Sequence, residues 1–182
     1  MNELKGKGSF LIIFALLIAF ILTGCFQKKL NIETGLRYLK EENYDEAIEI
    51  FNFLIGYSNL EEEKIISKNA LGWIYFLEDN FFNALLYFNE CSDYPHAKIG
   101  RVLTFSKTGC LSEALDLANS VTSENFPIEY LPNPLYEEEF LKLLLFISIQ
   151  EDEKNQIQKY LNLINDDDFK ENVEFFIGEN YE

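Results

Sequence analysis

Small and aromatic residues recur in three stretches of the chain at the same relative positions. These stretches read "GLRYLKEENYDEAIEIF" from Gly35, "GWIYFLEDNFFNALLYF" from Gly72 and "VLTFSKTGCLSEALDLA" from Val102. In each, an aromatic residue comes three positions after the first, an alanine twelve after it and a packing residue sixteen after it. This spacing predicts three pairs of amphipathic helices joined by polar turns. The turns are expected at Glu42–Asn43, Asp79–Asn80 and Thr108–Gly109.

The repeated small residues have a mechanical reason. Two helices approach closely only where small side chains face each other, and large aromatic residues then fill the space toward the next pair. The pattern resembles the tetratricopeptide repeat, which runs Leu-Gly-x-x-Tyr, then Ala, then Phe over about 34 residues. The resemblance covers residues 30 to 121. It implies an all-α fold, a right-handed α-α superhelix of about three helix hairpins over residues 31–121, with C-terminal capping helices.

The last third of the chain departs from this pattern. The stretch "SENFPIEYLPNP" contains three prolines and predicts an irregular connector over residues 122–134. Asn133 is expected to cap a new helix that has Pro134 in its first turn. Residues 135–182 are predicted to form a helical cap or a degenerate fourth repeat, with a last short helix that ends before Gly178. Because the end of a repeat stack needs a polar outer face, we expect one here.

The first residues of the chain have the pattern of a secretion signal. Lys5 and Lys7 precede thirteen uncharged apolar residues, from Phe10 to Leu22. A helix of this length covers about 20 Å, which is short of the roughly 30 Å hydrocarbon core of a bilayer. The run is therefore interpreted as a signal peptide rather than a membrane span.

The sequence "LTGC", residues 22–25, resembles the bacterial lipobox, where signal peptidase cuts before a cysteine that carries the lipid. The resemblance implies that residues 1–24 are cleaved off, that Cys25 is the lipid (palmitate) attachment site and that residues 25–30 form a tether. Two or three acyl chains anchor durably, since each buried methylene contributes about 0.8 kcal/mol. The alternative is a cysteine that happens to end a transmembrane anchor. The expected location is the bacterial cell envelope, at the inner or outer membrane, with the domain outside the cytoplasm.

Composition argues against several functional classes. The chain carries 31 acidic and 15 basic residues, for a net charge of −16, which argues against nucleic acid as a partner. A single histidine cannot form a paired-histidine metal site. The chain also has no glycine-rich phosphate loop. We therefore expect no enzymatic activity, no cofactor and no metal, and interpret His96 as a helix-end or groove residue.

Two cysteines remain besides Cys25, and an exported protein with two cysteines invites a disulfide. In the predicted hairpins Cys91 and Cys110 lie near opposite ends of antiparallel helices, about 15 Å apart. A disulfide needs Cα atoms within about 7 Å. We therefore expect two free, largely buried thiols.

In tetratricopeptide proteins the first helix of each repeat lines a concave groove that holds an extended peptide or a helix. The resemblance therefore implies a binding surface on the first helices, with Trp73 and Phe76 as an apolar floor. The candidate residues are Ile32, Leu36, Leu39 and Lys40, then Ile66, Asn69, Trp73, Phe76 and Leu77, then His96, Ile99, Leu103, Ser106 and Lys107. If the groove is free, Trp73 should be partly exposed. Alternatively, the C-terminal helices fold back and cover it.

The leading hypothesis for function is a lipid-anchored helical scaffold that binds another envelope protein through its repeats. The resemblance implies assembly work, such as insertion of outer-membrane proteins, secretion or regulation of cell-wall enzymes. Two alternatives stay open: a structural subunit of a homo-oligomer, and a solute-binding or enzymatic role of the C-terminal third.

Overall fold

The chain is helical wherever it is not a turn or a connector. A computed structural model describes residues 30–180, and this range contains nine α-helices. In chain order they are α1 (Ile32–Lys40), α2 (Tyr44–Tyr57), α3 (Glu61–Leu77), α4 (Phe81–Glu90), α5 (Pro95–Thr108), α6 (Leu111–Ala118), α7 (Glu137–Gln150), α8 (Lys154–Leu163) and α9 (Asp167–Asn180). A short 3-10 turn, Ser123–Asn125, opens the connector between α6 and α7. The expected all-α class is confirmed for these residues.

The predicted signal peptide, Cys25 and most of the tether lie outside the described residues. Between residues 30 and 180, no helix has both the length and the apolar character needed to cross a bilayer. The two expectations about the first residues, cleavage and lipidation, therefore stay predictions.

Four hairpin turns share one backbone geometry. The residues with left-handed φ angles are Glu42 (61°), Asp79 (57°), Gly109 (80°) and Asp152 (55°). In each turn the next amide donates to a carbonyl five residues earlier, as from Asn43 N to Tyr38 O at 2.9 Å and from Glu153 N to Ser148 O at 2.9 Å. This bond closes a helix end by satisfying one of its free carbonyls. The three predicted turns are confirmed, and the α7–α8 hairpin closes in the same way.

The first helices of successive hairpins lie side by side. Each helix from α1 to α6 packs against the next, α1 also packs against α3, and α3 also packs against α5. Helices α2 and α4 therefore each contact the first helices of two successive hairpins. The fourth hairpin, α7–α8, continues this series through contacts between α6 and α7. The result is a layer of first helices, α1, α3 and α5, with one face turned away from their own partners.

Two phenylalanines set the distance between the packed helices. A Cβ atom on Gly35 would come within 2.6 Å of the Phe51 ring, and one on Gly72 within 2.5 Å of the Phe88 ring. A Cβ atom on Gly100 would meet the same Phe88 ring at 2.3 Å. Both rings are completely buried. The first two contacts lie within hairpins, whereas Gly100 brings the third hairpin onto the second.

The connector differs from its prediction. Helix α7 begins at Glu137, so Asn133 does not cap it and Pro134 does not lie in its first turn. Ile128 pairs with Leu135 in an isolated antiparallel bridge, with Ile128 N to Leu135 O at 3.1 Å. Ile128 is completely buried, and this pairing keeps the backbone extended up to the start of α7.

The end of α9 also differs from its prediction. The helix continues through Gly178 to Asn180 rather than ending before the glycine. A glycine in a helix costs about 1 kcal/mol relative to alanine, and this cost does not end α9 here.

We predict that Gly72→Ala lowers the free energy of unfolding by about 1–3 kcal/mol, because the new methyl group overlaps the Phe88 ring. The measurement is urea unfolding of the purified protein. Gly178→Ala is the matched control, since no atom lies within 4 Å of its Cβ position, and it should raise stability by about 0.5–1 kcal/mol. Equal stability of Gly72→Ala and the unmodified protein would show that the Phe88 ring does not require a glycine at position 72.

Candidate functional site

The candidate groove residues do not form one open surface. Exposed side chains are Lys40, Leu77 and Lys107; half-buried ones are Ile32, Leu36, Ile66, Phe76, His96, Leu103 and Ser106; buried ones are Leu39, Asn69, Trp73 and Ile99. The exposed members all lie in the last turn of a first helix, where the helix leaves the packed layer. Asn69, Trp73 and Ile99 lie before the last turn of their helices, whereas Leu39 is buried within the last turn of α1. The face is therefore closed in the middle and accessible toward its ends.

Trp73 lies in the closed part. Its side chain is 1% exposed, so the expectation of a partly exposed tryptophan is wrong. The indole packs edge-on against the Phe88 ring at 5.4 Å between centroids and against Phe76 at 5.8 Å. These contacts place Trp73 in the core between α3 and α4 rather than on a free groove floor.

The connector, and not the C-terminal helices, covers this part of the face. Asn69 Nδ2 donates a hydrogen bond to the Tyr130 hydroxyl at 2.5 Å, and the His96 and Tyr130 rings lie 5.7 Å apart. The Trp73 indole nitrogen is buried and makes no hydrogen bond. Tyr130 packs against both hydrophobic clusters of the core, the one from α1 to α3 and the one that continues to α9. One side chain from an irregular segment therefore fills the middle of the layer of first helices.

Burial determines the charge of the two titratable groups at this contact. It raises the pKa of Tyr130 well above its usual value, although the Asn69 amide and the Trp73 indole oppose the rise. Burial lowers the pKa of His96, and a backbone hydrogen bond with Asn125 opposes that change. Both groups are thus neutral at pH 7, and the contact is a hydrogen-bonded aromatic cluster without charge.

Sequence reasoning did not find Tyr130, although the connector carries a signal. Ile128, Tyr130 and Leu131 are large apolar residues in a segment that has no helical period. In the structure Ile128 and Leu131 are buried in the core. Large apolar residues in an irregular segment must be buried against something, and the closest unfilled surface is the layer of first helices.

A cleft remains open where α1 and α3 begin. It has a volume of about 570 Å³ and is lined by Asn31, Ile32, Glu33, Asn59, Leu60, Glu61, Glu62, Glu63 and Ile66. Ile32 and Ile66, both candidate groove residues, form its floor together with Leu60, which is 61% exposed. The four glutamates make its rim negative. We call this the α1–α3 cleft.

The cysteines agree with their prediction, since Cys91 and Cys110 are both free. Cys91 is buried, and burial raises the pKa of its thiol to about 12. Its Sγ donates to the Tyr87 carbonyl at 3.2 Å. Cys110 is half-buried at the start of α6. The Cys91 thiol is therefore protonated at pH 7, which removes the reactive thiolate form.

Comparison with known proteins assigns neither a family nor a function to the chain. The chain has no significant match to a protein-family model, a curated protein or a solved structure. Among residues 30–180, no three His, Cys, Asp or Glu side chains are grouped so that they could hold a metal ion. The proposed function therefore rests on the shape and charge of the protein's surface.

We predict that Tyr130→Phe lowers the free energy of unfolding by about 1–3 kcal/mol, because it leaves the buried Asn69 amide without its partner. Urea unfolding followed by the fluorescence of Trp73 measures the change. Tyr136→Phe is the control in the same connector; its side chain is 52% exposed, and the change should stay within about 0.5 kcal/mol. Tyr130→Ala should also make Trp73 accessible to acrylamide. Unchanged quenching in that variant would contradict the role of Tyr130 as a cover.

Proposed function

We propose that this protein is a lipid-anchored scaffold of the bacterial cell envelope that binds another envelope protein. In this proposal the hairpins form a right-handed superhelix of tetratricopeptide type, the first 24 residues are removed, and Cys25 carries the lipid. The observation that carries the proposal is the α1–α3 cleft, because it lies between the starts of two first helices and includes the exposed Leu60. The side-by-side order of α1, α3 and α5 supports it as well.

The position of this cleft near the chain's first residues sets where a partner would meet it. Cys25 precedes Ile32 by seven residues, and a fully extended chain of this length spans about 25 Å. A lipid on Cys25 therefore holds the cleft within about that distance of the membrane surface. Lys28 and Lys29 lie within the same short segment and favour an anionic surface. The partner is accordingly a protein at the same membrane.

The chemistry of the cleft indicates which segment of a partner it takes. Its floor is apolar, with Ile32, Leu60 and Ile66, and its rim carries four glutamates. A segment with an apolar side chain between lysines or arginines matches both features. The charge of the whole chain, −16, favours encounter with such a basic segment.

The test is crosslinking in growing cells with the full chain. A photoreactive residue at position 60 should crosslink to a second envelope protein, since Leu60 lines the cleft and is 61% exposed. The same residue at position 82 should not, because Phe82 is 80% exposed but lies on α4, away from the cleft. Glu62→Lys should remove most of the crosslinked product, whereas Glu46→Lys on α2 should leave it unchanged.

Two outcomes would reject the proposal. A product that contains only two copies of this chain would favour a homo-oligomer. A product of equal yield from positions 60 and 82 would show that the cleft does not select a partner.

Lipidation is tested separately. Cells fed radioactive palmitate should label the unmodified protein, and Cys25→Ala should lose the label and keep its signal peptide, because the enzyme that cuts a lipobox needs the modified cysteine. The measurement is autoradiography together with the mass of the first peptide. Label that persists in Cys25→Ala would exclude this attachment site.

A further inference from the structure

A second cleft lies at the other end of the series of hairpins, between α7 and α9. It has a volume of about 510 Å³ and is lined by Phe146, Ile149, Gln150, Phe169, Asn172, Val173 and Phe176. All lining residues of α7 fall on one helical stripe, and so do those of α9. We call this the α7–α9 cleft.

Helix α9 is held at one end of the cleft. Lys142 Nζ pairs with Asp166 Oδ2 at 2.7 Å and lies 4.8 Å from the centre of the Phe169 ring. Asp166 Oδ1 also accepts a hydrogen bond from Phe169 N at 3.0 Å, which caps the start of α9. Beyond this point Val173 and Ile177 pack against the core. The Phe146 and Phe169 rings meet edge-on across the cleft at 5.9 Å between centroids.

The exposed residues of α8 and α9 are mostly polar, but exposed phenylalanines interrupt this region. Phe146 is 51% exposed, Phe175 67% and Phe176 52%. Phe146 and Phe176 line the cleft, and exposed aromatic side chains beside a cleft are typical of a docking surface.

The charges around this cleft are mainly negative. The turn after α7 carries Glu151, Asp152 and Glu153, all exposed, and α9 carries exposed Asp168 one helical turn before Asn172. Lys142, near the held end, is already paired with Asp166. These acids lie beside the cleft rather than in it, and they favour a partner with positive charges beside its apolar residues.

We propose that the α7–α9 cleft binds an amphipathic helix of a partner protein, with its apolar face in the cleft and its lysines and arginines beside the surrounding acids. A cleft between two helices, each with side chains at helical spacing, offers a groove into which the ridges of a third helix pack. This surface is separate from the α1–α3 cleft and does not depend on it.

A second copy of this chain fits less well. It would place the same acids opposite each other in a symmetric contact, where like charges repel. A partner helix with basic residues avoids this repulsion.

The probe for the test is a fluorescent synthetic helix made of leucine and lysine, with all leucines on one face. The full chain is reconstituted in nanodiscs of uncharged phosphatidylcholine, and binding is followed by fluorescence anisotropy, with empty nanodiscs as the baseline. A peptide of the same composition with scrambled leucines is the control for charge alone. Phe146→Ala and Phe176→Ala should each weaken binding of the amphipathic peptide by roughly thirtyfold. Phe82→Ala, which removes an exposed aromatic residue outside the cleft, should not change it.

Further outcomes decide the proposal. Binding that weakens with added salt and with Asp168→Lys would support it, because both changes reduce the attraction of the acids. Equal binding of the scrambled peptide, or equal binding by Phe146→Ala, Phe176→Ala and the unmodified protein, would overturn it. So would light scattering that shows a dimer of the unmodified protein and a monomer of Phe146→Ala. Crosslinking from position 60 should be the same in all these variants, so failure of this cleft is distinguishable from failure of the first.

Discussion

The contact on which the stack depends is the ring of Phe88 between two glycines. Gly72 of α3 and Gly100 of α5 both face this ring at distances that leave no space for a methyl group. One side chain therefore holds α4 against its own first helix and against the first helix of the next hairpin. This contact places α5 beside α3, and both helices form part of the inner face. Trp73 packs on the same ring, so the middle of that face is already part of the core.

Much of the fold could be predicted from the sequence because it depends on local signals. The hairpins follow from helical periodicity, and their turns follow from residues that tolerate a left-handed backbone, such as Gly109, or that are turn-prone, such as Asn43. The third hairpin was aligned on Val102, which is buried, whereas the glycine that meets a ring is Gly100. The helices within a hairpin are indicated by a periodic pattern of many residues. The contact between two hairpins is indicated only by a single small residue.

The candidate site was harder to predict because the exposure of its residues depends on residues far away along the chain. Periodicity places Asn69 and Trp73 on the inner face of α3, but it carries no information about what covers them. The cover is Tyr130, from a segment without a period. The capping signal at Asn133 failed for a related reason, since the pairing of Ile128 with Leu135 outweighs a local preference for starting a helix. The two open clefts are features of surface shape, which one sequence does not reveal.

The hydrogen bond between Asn69 and Tyr130 joins residues 61 positions apart. Most other contacts of the stack join neighbouring helices and can form hairpin by hairpin while the chain is synthesised. The tyrosine arrives only after α6, so the tryptophan face of α3 stays bare while the residues between Trp73 and Tyr130, about a third of the chain, are synthesised. During that interval it is an apolar surface that can associate with other unfolded chains, as incomplete folds do. Arrival of the connector ends this exposure, which makes the short irregular segment a late step in maturation rather than a passive link.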